Sequence, residues 1–176
     1  MVRSRMGALL LLVVAVHACA REDTNGAAPD SAQAPAAAVQ PAAVSAEQFA
    51  SLSWLIGEWR GSGGQYPAFY ESYRMLNDST IEMRTYSDST FTKATETSEL
   101  GLRSGSIQSL RDGTVRSVVT RISGDSVFFG RPNGAGGKFV WVKGPEGQWT
   151  AVLDGAAGAP PTVYEMRRIP SSTPVF

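Results

Sequence analysis

From Trp54 onward the chain is a rhythm of short strand-like runs broken by turn signals, and this rhythm limits the fold more than any other feature. The runs are "AFYESYRML", "TIEMRTYS", "GSIQSL", "TVRSVVTRI", "SVFFGR", "KFVWVK", "QWTAVLD" and "TVYEMRRI". They are rich in β-branched and aromatic residues, which suit a pleated surface. Between them lie "NDS" at Asn77, "RDG" at Asp112 and Gly113, "SGDS" at Gly124 and Asp125, and "GPEG" from Gly144 to Gly147. Each is a tight-turn signal. Turns recurring about every 10–12 residues imply an antiparallel meander that closes as a sandwich or a barrel. Only "SAEQFASLSWLIG" reads as helix, with Ser45 as its cap and Phe49, Leu52, Leu55 and Ile56 facing inward.

The segment before this domain has a different character. Arg3 and Arg5 precede an unbroken apolar run over residues 6–16. That run is shorter than the roughly 20 residues a permanent span needs and fits an export signal. "VHAC" resembles a bacterial lipobox, whose cysteine becomes the lipidated first residue of the exported chain. Cys19 is the only cysteine, so an internal disulfide is impossible. The resemblance implies a membrane partner through a lipid on Cys19, and Ala20 after it implies an outer-membrane lipoprotein facing the periplasm. Residues 19–45 are rich in Ala and Pro and hold no aromatic residue. They read as a disordered tether, too poor in apolar area to offset chain entropy. The expected organisation is a signal over 1–18, a tether over 19–45, a β domain over 46–170 and a tail over 171–176.

Composition then removes whole classes of chemistry. The single histidine, His17, lies in the signal. With Cys19 lipidated, the exported chain has neither imidazole nor free thiol. Serine–histidine and cysteine–histidine catalysis fall away, as do imidazole and thiolate metal sites. Basic and acidic residues balance at 16 each, and no basic block stands out. Nucleic acid is therefore not an expected partner. No metal, cofactor or enzymatic activity is expected.

The stretch "GEWRG" carries G-x-W at the start of the first strand. Lipocalins and their calycin relatives have this motif at the same place. The resemblance implies an up-and-down barrel of about 8–10 strands with a short N-terminal helix. It also implies that Trp59 plugs one end, packed by an arginine of the last strand, here Arg167 or Arg168, with Gly57 and Gly61 allowing the strand to bend. "WLIGEWRG" and the meander to Ile169 also resemble an uncharacterised bacterial envelope family with a WLxGxWxG opening. "GEWRGSGGQYP" is similar to the opening of nitrobindin-type haem barrels, one residue short. Those proteins hold haem iron through a histidine in their C-terminal part, which this chain lacks.

A two-residue loop at Asn77 and Asp78 would place Glu71 opposite Arg84, Tyr73 opposite Glu82 and Phe69 opposite Tyr86. Glu71, Tyr73, Arg84 and Tyr86 would then share one face. That face is either a surface ion-pair ladder or a polar clamp in the lumen. Glu82, Glu99 and Glu165 are the carboxylates available to a hydrolase, while Trp141 and Trp149 suit core packing. The "NGAGG" stretch lacks the Lys–Ser/Thr ending of a phosphate loop. The resulting expectation is non-catalytic binding of a small apolar or amphipathic ligand in the barrel mouth. Its rival is an envelope interaction module with a filled barrel. An open lumen above roughly 300 Å³ favours the first.

Overall fold

In a computed structural model of the chain, the described residues are 38–64, 66–134, 137–155 and 159–170. The expected signal, Cys19, most of the tether and the tail lie outside them. Ser45 caps α1 (Ala46–Ala50) in a reciprocal box: its Oγ accepts from the Gln48 N–H, and Gln48 Oε1 accepts from the Ser45 N–H. A 3₁₀ turn (Ser51–Leu55) follows. Together they bury Phe49, Leu52 and Leu55.

Ten strands come next: β1 (Gly57–Gly63), β2 (Tyr66–Asn77), β3 (Thr80–Tyr86), β4 (Ala94–Arg103), β5 (Ser106–Arg111), β6 (Thr114–Ser123), β7 (Ser126–Gly130), β8 (Phe139–Lys143), β9 (Gln148–Leu153) and β10 (Thr162–Arg168). Each pairs antiparallel with its neighbour in sequence, and β1 pairs with β10, so the sheet closes on itself. The fold is the all-β, single antiparallel barrel with a short helix that the sequence implies. Closure leaves no strand edge exposed. The strand order defines two ends. The helix, the start of β1 and the turns at 78–79, 104–105, 124–125 and 144–147 form the closed end. The longer connections 87–93, 131–138 and 154–161 stand at the open end.

The barrel recruits part of the expected tether. A bulge at Thr120 interrupts the β6–β7 ladder, and the Val119 carbonyl accepts from the Ala42 N–H at 2.8 Å. The Val44 N–H donates to the Gly105 carbonyl at 2.8 Å, and the Val44 side chain is buried. Val39 lies beside Gly130 and Thr120. Residues 39–44 therefore run along the barrel from the open end of β7 to the closed end.

The β2–β3 register differs from the expected one by a residue. The Asn77 side chain accepts from the Ser79 N–H and Oγ, both at 3.0 Å, which moves the turn to Asp78 and Ser79. A bulge at Leu76 absorbs the extra residue, so Met75 pairs with Ile81. Glu71 consequently faces Thr85, Tyr73 faces Met83, and Arg84 faces Ser72. A slip of one residue moves a whole strand face to the other side of the sheet. Glu71 and Tyr73 belong to the lumen, and Arg84 and Tyr86 to the outer face of the sheet, where Tyr86 is buried.

Candidate ligand-binding site

The closed end is sealed from its own backbone. Trp59 is buried, and its Nε1–H donates to the Leu55 carbonyl at 2.7 Å. Of the two candidate arginines, Arg168 covers it, with its guanidinium carbon 4.3 Å from the indole centroid. The same guanidinium donates to the Ile56 carbonyl at 2.6 Å and the Trp54 carbonyl at 3.1 Å. Arg167 points away and pairs with Glu165 at 3.3 Å in solvent. Gly57 runs directly under Arg168 at φ +136°, and a Cβ there would collide with Nη1. At Gly61 a Cβ would collide with the ring of Phe69.

Above Trp59 the lumen is filled by rings. Trp149 meets Trp59 at 6.0 Å, Tyr73 at 6.0 Å and Trp141 at 5.4 Å. Trp141 then contacts Phe129, which stacks on Phe139 at 4.4 Å. Ile81, Leu100, Ile107 and Met166 close the same core. The Trp149 Nε1–H has no hydrogen-bond acceptor among the described residues. Aromatic and aliphatic side chains thus pack the lumen in this half of the barrel, while an outer recess of about 520 Å³ beside Trp54, Trp59 and Arg168 opens at the closed end.

Glu71 and Tyr73 lie one above the other on the lumen side of β2. The Tyr73 hydroxyl donates to Glu71 Oε2 at 2.6 Å. Burial raises the Glu71 carboxyl above its ordinary value of 4.5; the Tyr73 hydrogen bond opposes this and the charge of Glu96 adds to it. Burial, together with the adjacent carboxylate, drives the Tyr73 hydroxyl well up. Glu96 in turn pairs with Arg111 at 3.0 Å. Arg84 stays outside, its Nη2 donating to Glu82 Oε2 at 3.1 Å, while Arg74 reaches the same carboxylate at 3.1 Å. Tyr86 also lies outside, under Phe91 at 5.0 Å, with its hydroxyl 3.2 Å from Ser72. The four residues expected to share a face are thus split two and two. Glu82 and Glu99 sit directly opposite one another, yet each has its own arginine, with Arg103 on Glu99 at 2.9 Å.

The open end offers chemistry that the sequence reading passed over. A bulge in the β5–β6 ladder makes Arg116 an extra residue beside Ser117. There Arg116 joins Ser109, Ser117, Arg131, Lys138, Phe139 and Leu153 around a recess of about 290 Å³. A second recess of about 450 Å³ adjoins it, sharing Lys138, Phe139 and Asp154 and adding Arg121 and Phe128. Arg121 stacks on Phe128 at 3.9 Å. Arg116, Arg131 and Lys138 have no carboxylate partner among the described residues. Asp154 is the one acid lining either recess. Phe139 and Leu153 supply an apolar floor. Three cations against one acid, two hydroxyls and an apolar floor suit a small anion that carries a short apolar part. The signal in the sequence was modest: a long glycine-rich connection flanked by Arg131 and Lys138.

Among the described residues, no group of three or more His, Cys, Asp or Glu is placed to hold a metal ion. No family model matches the chain, no curated protein matches it, and no solved structure matches it.

Proposed function

We propose that this is a calycin-like, lipid-anchored envelope protein that binds a small amphipathic anion, without catalysis, at the open end of its barrel. Trp59 beneath Arg168 supports the calycin reading. The observation that carries the binding reading is the convergence of Arg116, Arg131 and Lys138, all without carboxylate partners, on a recess floored by Phe139 and Leu153. Charge-assisted hydrogen bonds of about 1.5–3 kcal/mol each supply most of the affinity. Burial of a short tail adds about 25 cal/mol per Å². The aromatic fill below keeps the ligand at the rim, which favours short or bent tails over long straight ones.

Calorimetric titration with octyl phosphate below its micelle concentration tests this. Arg131→Ala with Lys138→Ala is expected to weaken binding at least about tenfold. Arg84→Ala, on the outer surface, is expected to leave it unchanged. Absence of binding to the unsubstituted protein would favour the second reading, an envelope interaction module, which the ring-filled lumen supports.

A further inference from the structure

We propose that one arc of the open rim is a docking face for an anionic lipid bilayer. Four large hydrophobic residues stand exposed among the described residues: Tyr66, Leu76, Leu153 and Val163. Three of them gather on this arc. Tyr66 begins β2, Leu153 ends β9 and Val163 lies at the start of β10, on strands that follow one another around the barrel through β1. The exposed Pro67, Pro160 and Pro161 extend the same strip.

Immediately beyond it, across β8 to β6, stand Lys138, Arg131 and Arg116. The rim connections of this arc, at 64–65, 131–138 and 154–161, hold two basic residues and the single acid Asp154. The opposite side of the rim differs: its connections carry Asp88 and Asp112 against Lys93. The connections of this arc thus carry a net positive charge beside an apolar strip, and those of the other side a net charge of −1. Tyrosine, small apolar groups and cations side by side match the chemistry of a headgroup layer bearing negative charge. A protein partner with an acidic patch would satisfy the cations but would leave the proline-rich apolar strip beside them unmatched.

The chain path agrees. Residues 39–44 descend from the open end of β7 to the closed end, so whatever precedes Val39 joins the barrel at the rim. An anchor on Cys19 would hold this end near the surface, although about 19 intervening residues reach up to roughly 65 Å and would not by themselves orient it. Orientation comes from the arc. With a tether, even weak docking is populated, because the local lipid concentration is high.

The inference shares cations with the ligand recess but does not depend on it. Tyr66 and Val163 line neither recess, so their replacement separates the two. The test is hydrogen exchange of the full chain, read by mass spectrometry, with phosphatidylglycerol-rich vesicles and with phosphatidylcholine vesicles. On the anionic vesicles, amides around Tyr66, Lys138 and Val163 are expected to slow, while the closed-end turns at 104–105 and 124–125 keep their rates. Tyr66→Ser with Val163→Ser is expected to abolish the slowing and leave octyl phosphate binding intact. Lys138→Glu is expected to reduce docking at least about tenfold. Equal protection at both ends, equal protection on both vesicle types, or full protection in the Tyr66→Ser, Val163→Ser variant would overturn the proposal.

Discussion

Arg168 lies over Trp59 and, with the same guanidinium, binds the carbonyls of Ile56 and Trp54. One side chain from the last strand thereby fastens the entry to the first strand and closes the barrel end. Removing it loses a cation–π contact and leaves two carbonyls to water. Arg168→Ala should cost about 1–2 kcal/mol in urea denaturation. Arg167→Ala should cost under about 0.5 kcal/mol, because its pair with Glu165 is solvent-exposed.

Gly61 is packed face-on against the Phe69 ring. Gly61→Ala should destabilise by about 1–3 kcal/mol through overpacking. Phe69→Leu in the same chain should recover part of that loss. A double variant no more stable than Gly61→Ala alone would place the strain elsewhere.

Glu71 gives the barrel a pH dependence of definite sign. Its carboxyl is raised in the folded protein, so folding binds a proton that the unfolded chain releases at lower pH. The stability contribution is full below the ordinary value of 4.5 and is lost as pH rises through the folded value. Glu71→Gln keeps an acceptor for the Tyr73 hydroxyl and removes the titration. Its stability relative to the unsubstituted protein should therefore rise from pH 4 towards neutrality, measured by thermal melts across pH. A relative stability of the variant that falls over that range would contradict the buried placement of Glu71.

The barrel was legible in the sequence because the evidence for it is local: alternating strands, turn residues and the G-x-W at Trp59. Register was less so. Asn77 and Asp78 are both good turn formers, and only the hydrogen bonds of the Asn77 side chain and the bulge at Leu76 decide between them. That one-residue choice carried Arg84 out of the expected site and Glu71 into the lumen. The choice between Arg167 and Arg168 was readable in principle, since Arg168 shares strand parity with the buried Met166. The mouth was not. Arg116 reaches it through a bulge, and Arg131 and Lys138 meet it from opposite ends of one connection, so no linear motif marks the set.

Residues 39–44 read as tether by composition, yet Val44 is buried and bonded to Gly105. Val44→Ala should cost about 1–2 kcal/mol. Ala43→Gly, next to it and exposed, should change stability far less. Equal effects would mean that this segment does not belong to the folded unit.

On the proposed reading a small amphipathic anion sits at the open rim and not in the lumen. The most direct measurement is an NMR titration with octyl phosphate, following backbone and side-chain signals together. The largest shifts are expected at Arg116, Arg131, Lys138 and Phe139, with Trp59 and Trp149 unmoved. Shifts centred on Trp149, Tyr73 and Glu71, or none at the rim at saturating probe, would contradict this reading.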